Sequence, residues 1–561
     1  MSNVTFTRRL SRACPLLRAC GIALVACTTG LVTSLAHAVT PITTCDAAGI
    51  GSVTLFGDGP PVTILSATPA VTAAPASVPY CLVKVVVPTA INIWVGLPDN
   101  WNGRWQSLGG GGYAGSVSAP TGAVNGGYAG ATTDTGHTGG SGTFGCVNDC
   151  VGNSAANPGQ PNIPLQVDFA NRSEHLMAYL GKQLTKRYYG RPVVYSYWNG
   201  CSTGGRQGLR MAQDYPFDYD GILAGASAIH WDRFQAGQIW YQVVQYMDNG
   251  GLIGGGVAAT LAAKENLATS QAIKACGNTL EVQDGVLTDP RQCHYSAAAD
   301  PTITRATCTA SDLTCLTPTE ASAIDKMWQG PVSCSTPSAG ACPVSDVVTR
   351  DLSDDGNKRL WYGETRGTAL NALGGTTPFS IAVAQPQYWV YFDPTWNFHT
   401  LTYGNTLQFF RDTVAQVGPI MASDNPNLAP FRDHGAKLVM WHGFADQLIV
   451  PQGSIDYYDR VTQALGGGYA QTQQFARLFM APGVGHCGGG SGPQPQALFD
   501  AVVNWVEHGQ APDTILATKT SGGVVTQSRP LCPYPTFAVW NGTGDPNLAS
   551  SFFCGNLNGS D

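Results

Sequence analysis

The sequence predicts an α/β protein, a doubly wound and mostly parallel sheet interrupted by one large insertion. Three observations carry this. A β-branched and aromatic run, Pro192 to Trp198, ends in Gly200-Cys201-Ser202-Thr203-Gly204 and turns into a helical pattern from Gly204 onward. A second buried run, Tyr219 to Gly225, follows that helix, giving strand, helix, strand. The alternation lapses over residues 228–424 and resumes with the strands Ala436 to Gly443 and Ala476 to Met480, separated by a helix over Gly453 to Leu465.

The N-terminus carries Arg8, Arg9, Arg12 and Arg18, an apolar run from Ala19 to Leu35, and Ala36-His37-Ala38. These are the three regions of a secretory leader, so residues 1–38 are expected to be removed and the protein to be secreted or periplasmic. No other stretch has the apolar length that spans a bilayer. Removal takes away four arginines and no acid, moving the formal charge from −7 to −11. Such a surface repels nucleic acid and anionic lipid, which excludes both as partners.

Export also explains the cysteines. Of 17, Cys14, Cys20 and Cys27 leave with the leader, and the remaining fourteen are an even number for an oxidising compartment. Short separations suggest Cys45 with Cys81, Cys146 with Cys150, Cys276 with Cys293, Cys308 with Cys315, Cys334 with Cys342, and Cys532 with Cys554. Cys201 and Cys487 are left over. Sequence alone leaves this connectivity a hypothesis.

Taken in order, residues 39–100 read as β-rich: Val53 to Phe56, Val62 to Leu65, and one alternating run from Cys81 to Trp94. A short strand, Gln106 to Leu108, runs into Gly109-Gly110-Gly111-Gly112-Tyr113, whose uncovered backbone N–H groups suit half of an oxyanion hole; a plain flexible loop is the alternative. Residues 126–165 are mostly loop, and His137 within them is read as structural. An amphipathic helix spans 173–188. The Trp- and Tyr-rich, cysteine-closed stretch 227–424 is read as an inserted lid between core segments 39–226 and 425–561. A helix over Ala497 to Glu507 and a cysteine-closed tail complete the chain.

Ser202, Asp446 and His486 each stand at the C-terminal end of an expected strand, in the order serine, acid, histidine. Catalytic groups of open parallel sheets gather at that edge. An alcohol is a poor nucleophile until a neutral imidazole takes its proton, and a carboxylate must orient that imidazole. Ser202 is therefore assigned as nucleophile, His486 as base and then acid, and Asp446 as orienting carboxylate. The N–H of Thr203, with that of Gly110 or Gly111, would bind the oxyanion. His442 is a rival base, but it lies within its strand. Cys201 is a rival nucleophile, against which stand the oxidising context and an available partner.

With these residues in hand, Gly200-Cys201-Ser202-Thr203-Gly204-Gly205-Arg206, Asp446 and His486-Cys487 resemble the Cys-Ser, Asp, His-Cys signature of the tannase and feruloyl esterase family, which also contains hydrolases of terephthalate monoesters. Trp101-Asn102-Gly103, Arg432-Asp433 and the tail Arg529 to Pro535 extend the likeness over the mature chain. The resemblance implies an α/β-hydrolase fold with a large inserted lid domain, a Cys201 to Cys487 disulfide, and hydrolysis of small esters of aromatic acids with no cofactor for the chemistry. It also points to a calcium loop between Cys276 and Cys293. There the family's acidic positions are Gly277, Leu280 and Asp284, so two hard ligands are missing. Asp284 and the carbonyls of Val282 and Val286 remain as candidate ligands, with Asn278 or Glu281 able to compensate. The lid run Gln387 to Phe392 would stack on a phenolic ring, or else be plain core. No lid arginine around 378–390 matches the one that holds a terephthalate carboxylate, which weighs against that substrate. A non-catalytic phenolic- or carbohydrate-binding protein on a hydrolase frame is the reading from another class.

Overall fold

Ten strands form one sheet: β1 (Val53–Thr54), β2 (Pro61–Val71), β3 (Pro79–Val87), β4 (Ile91–Pro98), β5 (Arg104–Leu108), β6 (Ala129–Thr133), β7 (Tyr195–Cys201), β8 (Gly221–Gly225), β9 (Lys437–Gly443) and β10 (Ala476–Ala481). Their order is β1-β2-β3-β4-β6-β5-β7-β8-β9-β10. The pairs from β6 through β10 are parallel, and those from β1 through β4 to β6 are antiparallel. The parallel half is the expected doubly wound sheet; the antiparallel half extends it at one edge. The computed structural model describes residues 40–55, 61–88, 90–333, 348–353 and 356–557. The expected leader, Phe56, and the expected Cys334 to Cys342 bridge lie outside the described residues.

The single run expected from Cys81 to Trp94 is two strands. Pro88, which has no N–H for a ladder, interrupts it, and β3 folds back on β4 with Val87 opposite Ile91. Alternating burial of Val83, Val85 and Val87 follows from a strand with one covered face.

In the parallel half, neighbouring residues serve opposite faces, and both are covered. Trp198, Ile222, Leu438 and Leu478 join one apolar core with α1 (Ser173–Tyr189) and α2 (Thr203–Asp214). Tyr197, Leu223, Val439 and Phe479 join another with Val502 and Trp505. The approach of α1 to β5 is close: a Cβ at Gly181 would stand 1.9 Å from Trp105, so only glycine fits.

Between β8 and β9 the alternation lapses as expected, and the insertion is mainly helical. Its helix α3 (Trp231–Asn249) leaves directly from the β8 exit, and the short α4 (Ser380–Gln385) packs against it. Trp231, Trp240, Ile324 and Trp361 belong to an apolar core separate from those on the sheet, the behaviour of an element with its own buried centre. Two further helices, α5 (Gln452–Leu465) and α6 (Leu498–His508), fall within one residue of their expected starts. Among the described residues, no helix is long and apolar enough to cross a membrane.

Candidate active site

The strand β7 ends at Cys201, and α2 begins at Thr203, leaving one residue to reverse the chain. That residue, Ser202, takes φ 63° and ψ −126°, a conformation that costs a non-glycine residue free energy and holds its side chain clear of both elements. The flanking glycines are required sterically. A Cβ at Gly200 would lie 2.4 Å from the carbonyl oxygen of Gly204, and one at Gly205 would lie 2.3 Å from that of Gly225. The turn is fixed to its neighbours by the Ser202 N–H bond to Gly225 O (3.0 Å) and by the Ala228 N–H bond to Ser202 O (3.1 Å).

Asp446 and His486 stand beyond β9 and β10. His486 Nδ1 donates to Asp446 Oδ2 at 2.8 Å, and its backbone N–H bonds Gln447 Oε1 at 3.1 Å. Asp446 is fully buried, and its other oxygen, Oδ1, accepts from the N–H groups of Leu448 and Ile449, each at 2.9 Å. Burial alone would raise its pKa, but the bonds from His442 and His486 outweigh it and hold the carboxyl well below its ordinary range. An ionised Asp446 can only accept, so the Nδ1 proton sits on His486 and Nε2 is left as the basic atom. Among the described residues no hydrogen bond closes between that Nε2 and Ser202 Oγ, a contact that is often long before substrate arrives.

A covalent bond ties the serine's turn to the histidine's loop. Cys201 and Cys487, each next to one of them, are disulfide-bonded with Cα atoms 6.0 Å apart. This is the pairing left over by the short separations. The other five described bridges join Cys45 to Cys81, Cys146 to Cys150, Cys276 to Cys293, Cys308 to Cys315, and Cys532 to Cys554, as expected. Cys201 is thereby removed as a rival nucleophile.

His442, weighed above as a rival base, has another place. Its ring is completely buried, with Nε2 3.0 Å from Asp446 Oδ2 and also 3.0 Å from Ile449 O, and Nδ1 2.8 Å from Ser454 Oγ. It therefore stands behind the carboxylate while His486 stands before it. The signal was in the sequence: four residues separate His442 from Asp446.

The glycine loop is pinned almost atom by atom. Gly109 N–H bonds Asn199 O, Gly112 O accepts from Thr203 Oγ1 at 2.6 Å, and Tyr113 O lies 2.8 Å from His137 Nε2. Gly110 N–H donates to Gln207 Oε1 at 2.9 Å, so Gly110 is corrected as an oxyanion donor. Its N–H is already committed; Gly111, the alternative, carries no such bond among the described residues, nor does Thr203 N–H at the start of α2. His137 is structural as expected, stacked 3.6 Å from Phe144 and held by burial below the ordinary imidazole range. Behind the loop, Gln207 Nε2 donates to Glu174, a fully buried acid whose pKa burial lifts to about 7 against the pull of Arg206. Sequence separation of 97 residues hid the Gln207 to Gly110 bond.

The aromatic run expected to meet a phenolic ring is packed inward. Trp389 is 2% exposed, donates to Gly142 O at 2.8 Å, and stacks on Tyr113; Tyr391 stacks on Trp396 and bonds Asp412. The plain-core alternative describes these two rings.

The candidate calcium ligands do not fit the ion. Asp284 Oδ2 accepts from Arg529 Nη2 at 2.8 Å, so a guanidinium already faces that carboxylate. Asn278 Oδ1 caps the short helix Thr279–Asp284, and both oxygens of Glu281 accept backbone N–H groups, from Asn278 and Thr288. Val282 lies within that helix and Val286 just beyond its end. Calcium takes six to eight oxygens, and of the side-chain oxygens of Asn278, Glu281 and Asp284 all but Asp284 Oδ1 are turned to other partners among the described residues.

A family model described as tannase and feruloyl esterase matches residues 81–555, which include every residue placed above in the site. The chain belongs to the tannase and feruloyl esterase family. A probable feruloyl esterase from Arthroderma benhamiae is 36% identical over 480 residues, covering 84% of this chain and 82% of the relative. The mono(2-hydroxyethyl) terephthalate hydrolase of Piscinibacter sakaiensis is 30% identical, with 87% of each chain covered. Among solved structures, feruloyl esterase B from Aspergillus oryzae superposes with a TM-score of 0.73 at 24% identity, covering 90% of this chain and 97% of that one. The fold is thus the α/β-hydrolase fold of the tannase and feruloyl esterase family, with the serine on the β7 elbow.

Proposed function

We propose that this protein is an exported serine carboxylesterase that hydrolyses esters of aromatic acids through an acyl-enzyme. The observation that carries the reading is the bond from His486 to buried Asp446, with that histidine tied by the Cys201–Cys487 bridge to the serine elbow. Ser202 Oγ attacks the ester carbonyl as His486 Nε2 takes its proton. The carbonyl oxygen becomes an oxyanion, bound by the N–H groups of Thr203 and Gly111. His486 returns the proton to the departing alcohol, and the acyl group stays on Ser202. Water then attacks the acyl carbon with the same proton relay in reverse, releasing the acid. Asp446 remains ionised throughout and stabilises the imidazolium.

The aromatic-acid preference rests on the kinship with feruloyl esterases and tannases. Export is supported by the N-terminal leader pattern and by bridges that need an oxidising compartment. Kinship with the terephthalate monoester hydrolase supports polyester fragments as a second substrate class.

Turnover of methyl ferulate, methyl gallate and a terephthalate monoester tests the reading, together with labelling by a fluorophosphonate probe. Labelling that disappears in Ser202→Ala and hydrolysis of at least one ester are expected. Folded wild type that neither labels nor turns over any ester overturns it in favour of a binding protein.

A further inference from the structure

Two buried amides beside the glycine loop have no partners of their own. Gln235 on α3 is 1% exposed and Gln385 at the end of α4 is 0% exposed, yet both amide atoms of each lack a hydrogen bond among the described residues. The hydroxyl of Tyr113, directly after the glycine loop and 1% exposed, is likewise unpaired. Buried polar groups left without partners are costly, and Gln235 and Gln385 are the two glutamines among the described residues in which both amide atoms are so placed.

Their positions follow from their helices. The chain enters α3 from Ala228, whose N–H bonds Ser202 O. Trp231, at the first position of α3, has its ring 5.5 Å from that of Tyr113. Gln238 donates to Leu448 O at 2.6 Å, on the loop whose N–H groups hold Asp446. Gln235 lies four residues after Trp231 and three before Gln238, on the same helical face. It therefore stands between the glycine loop and the aspartate loop. On α4, Ile381 reaches the glycine loop: a Cβ at Gly112 would be 3.3 Å from its Cδ1. Gln385 is one turn further on that face.

We propose that Gln235 and Gln385 form the polar subsite that binds the ring hydroxyl of the substrate's aromatic acid, an inference that rests on the aromatic-ester reading. Each amide offers a donor and an acceptor, the complement of a phenolic O–H, which both donates and accepts. Tyr113 and Trp231, whose rings pack edge to face 5.5 Å apart, form the apolar neighbourhood of the amides. A site built to hydrogen-bond a hydroxyl discriminates against the analogue without one, because the amides are then left buried and unpaired.

The test compares methyl p-coumarate with methyl cinnamate, which differ by one ring hydroxyl, on wild type, Gln235→Leu and Gln385→Leu. Each variant is expected to lose about 10- to 100-fold in kcat/KM on the coumarate and to stay within about threefold on the cinnamate. Equal losses on both esters, or an unchanged preference, overturn the proposal and leave the amides to internal water. Should a leucine variant fail to fold, Gln235→Met and Gln385→Met replace it. The second arm is equilibrium binding of p-coumaric and cinnamic acids to Ser202→Ala protein, with and without the glutamine substitutions. Tighter binding of p-coumaric acid that is lost with either glutamine supports the subsite; equal binding of the two acids overturns it. Wild type that turns over neither of these esters nor any ester of the panel above, and does not label, sinks the esterase reading, and the binding arm still decides the subsite.

Discussion

Cys201 and Cys487 sit 6.0 Å apart at the Cα atoms although 286 residues separate them, and each adjoins one of the two groups proposed to exchange a proton. Two segments of the chain that meet only through folding are thus tied together beside the proposed point of reaction. Cys201→Ala/Cys487→Ala is expected to lower kcat by about 10- to 100-fold, since a displacement of about 1 Å costs that much in an oriented site. Losing so long a loop closure also costs about 2–5 kcal/mol of stability, so kinetics belong well below the shifted melting temperature. A wild-type rate in the folded double variant would refute the positional role.

His442 makes its own test. Replacing it with leucine removes one donor from Asp446 Oδ2 and leaves Ser454 Oγ without its ring partner. The expected cost is about 1–3 kcal/mol, with kcat down roughly tenfold or more as the carboxylate loses its fixed orientation. The pH dependence has a definite sign. In wild type the folded pKa of Asp446 is depressed, so its contribution is fully present above the unfolded value and is lost only as pH falls through the lower folded one. His442→Leu raises that folded value, so acid unfolding followed by circular dichroism should begin at higher pH. Identical acid transitions would show that His442 does not hold the carboxylate.

The strand exits that carry Ser202, Asp446 and His486 were legible because each is a short apolar run closed by glycine, a pattern local in sequence. The same locality explains the failures. The β3 and β4 strands read as one because Val87 and Ile91 keep the apolar character on either side of the break, and Pro88 was the only marker. Gly110 and Gly111 are indistinguishable in a run of four glycines; only the carbonyl of Gln207, which α2 carries to the loop, separates them. Tyr388-Trp389-Val390-Tyr391 has the same composition whether it lines a substrate or fills a core. Which it does depends on Gly142 and Trp396, distant or looped partners that no spacing announces.

Asp284 and Arg529 give a prediction about metal. Their 2.8 Å pair puts a guanidinium, itself 4.4 Å from the centre of the Phe552 ring, against the one acid standing at an expected calcium position. Chelator is expected to leave the melting temperature and activity unchanged, and added calcium to leave them unchanged too, because an ion stabilises only a state that binds it. Arg529→Met should cost about 1 kcal/mol, the range of a partly exposed ion pair with a cation–π contact. A chelator-induced fall in melting temperature that calcium reverses would overturn the assignment.

Glu174 supplies the last prediction. Its pKa is lifted by burial from 4.5 to about 7, so the folded state binds more protons than the unfolded one across that interval. Stability therefore falls as pH rises from about 4.5 through about 7, by about 3 kcal/mol at most. Glu174→Gln cannot ionise, yet its side-chain oxygen still accepts from Gln207 Nε2, so the Gly110 anchor is kept. Denaturant unfolding at pH 5 should find the two proteins similar. At pH 8 the variant should be the more stable, with its esterase rate retained. Parallel curves at the two pH values would mean that Glu174 is already ionised in the fold, and that the glycine loop is braced by a charged group rather than a neutral one.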